Sequence, residues 1–96
     1  MSADLSGLST ARAADRLIRD HFRVKPAEAV LVTADTRSDL RVAESLLGAA
    51  RMLGAETSLL LVDQLPFQGK LADPYIPRVL ATAVTQCDVW IDLTFP

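Results

Sequence analysis

Between Ala29 and Val62 the chain runs through an apolar stretch, AVLVTA, an amphipathic helical pattern, a single glycine and a second apolar stretch, TSLLLV. Two strands joined through a helix with so little connecting chain make a βαβ unit, with parallel strands and a right-handed crossover. The first strand, Ala29 to Ala34, is short, continuously apolar and rich in valine, as a strand covered on both faces must be. The helix is read from about Arg37 to Leu53. Leu40, Ala43, Leu47 and Ala50 form its apolar stripe, widened by Leu46 and Leu53, while Arg41, Glu44, Ser45 and Arg51 lie opposite. Gly54 stands where a left-handed helix end is wanted. The second strand is read at Thr57 to Val62.

The flanking chain extends this unit. Leu8, Ala11, Ala14, Leu17 and Ile18 recur at helical spacing, so a helix is expected from about Leu8 to Phe22 with Ser6 or Ser9 as its cap. Pro26 disfavours helical geometry at Lys25 and closes it. Asp63 to Asp73, DQLPFQGKLAD, has no usable period and reads as a long loop, with Leu65, Pro66 and Phe67 as apolar docking residues within it. An irregular turn follows at Pro74 to Ile76. A helix then begins with Pro77 as its first residue and runs to about Gln86, and a third strand covers Val89 to Leu93. The order α, β, α, β, long loop, α, β predicts a three-layer, Rossmann-like parallel sheet with the first strand in the middle. Residues 1–96 make one α/β domain. Three strands are few for a sheet covered on both faces, so a fragment or N-terminal domain of a longer two-domain chain is expected.

Composition removes several function classes. The formal charge is −2, and no Lys or Arg stands next to another, so nothing marks a nucleic-acid or anionic-membrane surface. The longest run of large apolar residues, Leu59 to Val62, is far too short to span a bilayer, and the N-terminus has no secretory pattern. A single cysteine, Cys87, allows no internal disulfide and is compatible with a cytoplasmic location. One histidine and one cysteine also exclude a conventional His/Cys zinc site, leaving an aspartate-only site for a hard cation open. His21 reads as a partner for its helix's C-terminal dipole, and Cys87 as a packing residue.

Chemistry is expected at the carboxyl edge of the sheet, where open α/β folds collect ligands. Asp35 follows the first strand, Asp63 the second, and Asp92 lies in the last turn of the third. Asp35, Arg37 and Asp92 are the candidate substrate-cleft residues; no catalytic residue and no metal ligand is assigned. Aspartates after strands also turn chains and cap helices, which is their commoner task. Thr36-Arg37-Ser38-Asp39 has the spacing of a capping box, in which Thr36 Oγ1 accepts from the Asp39 amide and Asp39 reaches back to the Thr36 amide. The absence of glycine and the two aspartates argue against a phosphate cradle here.

VKPAEAVLVTADTRSDLRVAESLLGAARMLGAETSLLLVD resembles the N-terminal domain of the aminopeptidase T family of metallopeptidases, with Ala27 where that family often has glycine. The resemblance implies a larger, dimeric two-domain enzyme whose divalent metals (Zn, Co or Fe) are held by a C-terminal domain. That domain would be this chain's principal partner. The same architecture resembles iron-dependent dioxygenases that open dihydroxypyridine rings, again with the metal ligands further along. CDVWIDLTFP, Cys87 to Pro96, is similar to the phospho-acceptor strand of receiver domains; there Asp92 would accept the phosphoryl group and Asp35 would help bind Mg²⁺. The expected function is a supporting domain of an aminopeptidase T-like hydrolase, inactive alone. The dioxygenase domain, the receiver and a plain structural or interaction domain stand as alternatives.

Overall fold

The computed structural model describes residues 2–64, 74 and 76–94. The elements are α1 (Ser2–Arg16) with a π-helical turn (Leu17–His21), β1 (Ala29–Asp35), α2 (Leu40–Met52), β2 (Glu56–Val62), α3 (Arg78–Gln86) and β3 (Val89–Asp92). The expected loop from Leu65 to Asp73, its docking residues, and the aromatics Tyr75 and Phe95 lie outside the described residues. The three strands form a parallel sheet in the order β2-β1-β3, so the first strand is central, as expected.

The α/β arrangement follows from how β1 is covered. Its even residues Val30 and Val32 join Ile91 of β3 in a core closed by Ala14 and Ile18 of the first helical segment and by Ala43, Leu46, Leu47 and Ala50 of α2. Ile18 and Leu46 are almost wholly withdrawn from water, worth about 1.5–3 kcal/mol each. Its odd residues Leu31, Thr33 and Asp35 point to the other face and are also buried. Ala83 and Cys87 at the α3 end share a shallow cleft with Leu31 and Ser58 on that face.

The edges of the elements differ from the sequence reading in informative ways. α1 starts at Ser2, so Ser6 and Ser9 lie within the helix rather than at its start. Alanine-rich chain with one glycine continues a helix readily once nucleated. Its far end is set before Pro26 acts: Phe22 N–H donates to Leu17 O at 2.8 Å, Val24 N–H to Ile18 O at 3.0 Å, and Arg23 turns left-handed at φ 52. α2 begins at Leu40 rather than Arg37, with Asp39 as the residue just before it. Its other end is a Schellman closure. Gly54 at φ 84 donates to Arg51 O at 2.9 Å, and Ala55 donates to Ala50 O at 3.2 Å.

Two turns are stitched together below the sheet. Lys25 to Glu28 forms a turn with Ala27 at φ 70, closed by Glu28 N–H to Lys25 O at 3.2 Å. Ala27 N–H donates to Gly54 O at 2.9 Å, and Glu56 N–H donates to Glu28 O at 2.8 Å, which starts the β1–β2 ladder. On the other flank, Asp88 Oδ2 accepts from Ala29 N–H at 2.8 Å and fixes the start of β3. Among the described residues no helix is long and apolar enough to cross a membrane.

Candidate functional site

The carboxyl edge of the sheet is organised around one buried hydroxyl. Thr33 sits in the middle of β1 and is fully buried, so its Oγ1 needs partners on the protein. The register sets Thr33 beside Asp92 and Leu31 beside Trp90. Thr33 Oγ1 donates to Asp92 Oδ1 at 2.8 Å and accepts from the Trp90 indole N–H at 3.0 Å. Asp92 Oδ1 also accepts from the Thr94 amide at 3.0 Å. Asp92 is exposed because β3 is an edge strand, which leaves the carboxylate hydrated while one of its oxygens is held.

Asp35, at the end of β1, is buried. Its Oδ1 accepts from Arg37 N–H at 2.8 Å, an Asx turn, while its carbonyl accepts from Ser38 N–H at 3.1 Å. Ser38 completes the corner. Its Oγ accepts from Asp35 N–H at 3.0 Å, and its hydroxyl lies 2.7 Å from Leu93 O and 3.3 Å from Asp35 Oδ1. The serine thus ties the end of β1 to the residue after β3.

The expected capping box is corrected here. Thr36 is exposed within the turn, and the residue before the helix is Asp39, whose Oδ1 accepts from Arg41 N–H at 2.9 Å. The box fails because Asp35 and Ser38 form their own turn across residues 35–38, which moves the helix start three residues on. The Arg41 side chain pairs with the same carboxylate at 3.2 Å. That side-chain hydrogen bond, followed by the backbone one, holds the Asp39 carboxyl below its ordinary value and raises the Arg41 guanidinium above its own.

The three strand-end aspartates share an edge without sharing a face. Asp35 and Asp92 lie on the α3 side, since Thr33 pairs with Asp92 and precedes Asp35 by two. Val62 is the register partner of Asp35, so alternation sends the next residue, Asp63, toward the α2 side. The Arg37 side chain is exposed beside the Asp35 turn. Thr33 and Ser38 are the site residues that sequence reading passed over. A threonine inside an otherwise apolar buried strand was the available signal, because such a hydroxyl demands a partner.

This arrangement can accept a hydrogen bond at the outer oxygen of Asp92, stack a ring against Trp90, and pair an anion with Arg37. Among the described residues no group of three or more His, Cys, Asp or Glu is placed to hold a metal ion. Asp35 Oδ1 and Asp92 Oδ1 each accept a hydrogen bond from the protein itself.

No family model matches this chain, and no curated protein matches it. A solved 2,5-dihydroxypyridine dioxygenase from Pseudomonas putida is similar to it with a TM-score of 0.73 at 16% sequence identity, over 94% of this chain and 28% of the other. The expected kinship with aminopeptidase T is thereby corrected. Its helix, strand and glycine spacings are those of a βαβ unit in general, and the matching fold is that of a dioxygenase. At this identity the likeness is one of fold, and the chain spans about 28% of that dioxygenase's length.

Proposed function

We propose that this chain is a supporting α/β domain of an enzyme of the dihydroxypyridine ring-opening dioxygenase type, forming one wall of its substrate cleft. The observation that carries the reading is the overlap of nearly the whole chain with about a quarter of that dioxygenase. The carboxyl edge adds chemistry of a suitable kind. A hydroxylated pyridine ring offers hydroxyl protons to the outer oxygen of Asp92, an aromatic face to Trp90, and a phenolate to Arg37. In this reading the protein works in the cytoplasm, the iron is held by the remainder of a longer chain, and the residues here bind and orient without taking part in oxygen chemistry.

The reading is tested by titrating isotopically labelled protein with 2,5-dihydroxypyridine. Shifts confined to the Trp90 indole and to the Arg37 and Thr94 amides, at millimolar ligand, are expected for one wall of a cleft. Unchanged spectra at that concentration count against it. Ring opening by this chain alone, supplied with ferrous iron and oxygen, would overturn its supporting role.

A further inference from the structure

The two edges of the sheet are built differently. β3 is four residues long, and Asp88 and Asp92 place charge at its ends, as protected edges do. β2 is seven residues long and carries no charge from Thr57 to Val62, no proline and no bulge. Its Leu59 and Leu61 are 41% and 51% exposed. Because Glu56 N–H donates inward to Glu28 O, the inward backbone groups of β2 belong to its even residues. Those of Thr57, Leu59 and Leu61 point outward, and among the described residues nothing pairs with them.

We infer that β2 pairs with β2 of a second copy, antiparallel, about a two-fold axis through Leu59. This assignment stands on the edge itself and does not depend on the functional reading. The register sets Leu59 opposite the partner's Leu59 and Thr57 opposite the partner's Leu61, and every outward residue then meets another outward residue. Each such pair exchanges both N–H···O bonds. The side chains of Thr57, Leu59 and Leu61 share the α2 face, since Leu59 registers with the core residue Val32. The exposed leucines of the two strands therefore cover one another across the axis.

Charge supports the same register. Glu56 falls opposite the partner's uncharged Val62, and its side chain takes the face opposite to that of the partner's Asp63. Arg51 donates to Thr57 Oγ1 at 3.4 Å, so its guanidinium lies over the end of the strand where the partner's Leu61 arrives. The partner's Asp63 lies one alternation beyond, on the same face, and the two-fold repeats the pairing. The result is a sheet continuous through both copies, with the α2 helices flanking the axis on one side.

Sedimentation equilibrium of the 96-residue chain tests this. The expected species is a dimer of twice the 10.4 kDa protomer mass. Leu59→Lys should weaken it roughly a hundredfold, through lost apolar contact on both strands. Asp63→Arg should weaken it less, and Arg51→Asp with Asp63→Arg should restore it. All three residues are exposed, so unchanged far-ultraviolet circular dichroism confirms that each variant folds. A wild-type chain that stays monomeric at millimolar concentration overturns the inference. So does a dimer that Leu59→Lys leaves intact, or one whose charge reversals fail to compensate.

Discussion

The Thr33 hydroxyl donates to Asp92 Oδ1 across 2.8 Å and accepts from the Trp90 indole, joining the central strand to the carboxylate at the end of β3. Thr33→Val keeps the shape and removes both interactions. The half-exposed partners regain water, so the cost is about 1 kcal/mol in urea unfolding. Trp90 emission should shift to the red as its indole hydrates. Thr33→Ser retains both bonds and should leave the spectrum unchanged. Identical spectra for valine and threonine would remove this hydroxyl from the site.

Ser38 closes the corner beside it, and Ser38→Ala strands the Leu93 carbonyl and the Asp35 amide together. The expected loss is roughly 1–2 kcal/mol, the usual consequence of leaving partly buried groups without partners. Faster hydrogen exchange at the Asp35 amide is the local readout. Loss of stability without that local change would place the serine's role elsewhere.

Ala27 holds a left-handed backbone at φ 70 in the turn that precedes β1, where an L side chain crowds the following carbonyl. Ala27→Gly should therefore raise stability by about 0.5–1 kcal/mol despite the extra freedom it gives the unfolded chain. Gly54→Ala is the converse. The added Cβ meets Pro26 at an ordinary 3.6 Å, so its cost, about 1 kcal/mol, comes from φ 84 alone. Denaturant midpoints moving in opposite directions for these two variants are the expected result.

The fold was legible where period and punctuation agreed. The valine-rich run at residues 29–34 is the buried central strand, and Gly54 closes α2 as its position implied. Boundaries went astray where side chains bond the backbone locally. The Asp35–Ser38 turn displaced the start of α2, and the π-helical turn ended the first helical segment before Pro26. Which face Asp63 takes depends on the pairing of β1 with β2, a register that the spacing of strands along the chain does not encode. The aminopeptidase reading failed for a related reason: it drew on spacings that any βαβ unit shares.

Asp39 makes the start of α2 pH-dependent. Its folded-state carboxyl lies below the ordinary 3.8, chiefly through its side-chain bond to Arg41. A depressed carboxyl contributes stability in full above the unfolded value and loses it as pH falls through the folded one. The cap should accordingly be constant at neutral pH and weaken on the acid side of 3.8. The site is open to solvent, so added salt should reduce the effect. Asp39→Ala should lower the midpoint temperature at neutral pH and flatten this part of the acid transition. Asp39→Asn should preserve the cap and lose only the pairing with Arg41. An acid transition unchanged by either substitution would show that the cap contributes nothing measurable.

Asp92 should remain unmodified by acetyl phosphate and Mg²⁺. Phosphoryl transfer to a carboxylate needs a cation bridging the acceptor and a second acid, so that charge on the transferring group is neutralised as it moves. Asp35 is the nearest candidate for that second acid on the same face. It is buried, and its Oδ1 is drawn into the turn by the Arg37 amide at 2.8 Å. Asp92 in turn has Oδ1 held by Thr33 and Thr94, leaving only its outer oxygen to act. That oxygen can accept a hydroxyl proton from a ligand without a metal, which is what a cleft wall requires of it. Intact-mass measurement after incubation decides the matter. A phosphoryl adduct that Asp92→Asn abolishes would make this edge a phospho-acceptor, whereas an unchanged mass with a ligand-responsive Trp90 agrees with a substrate-facing one.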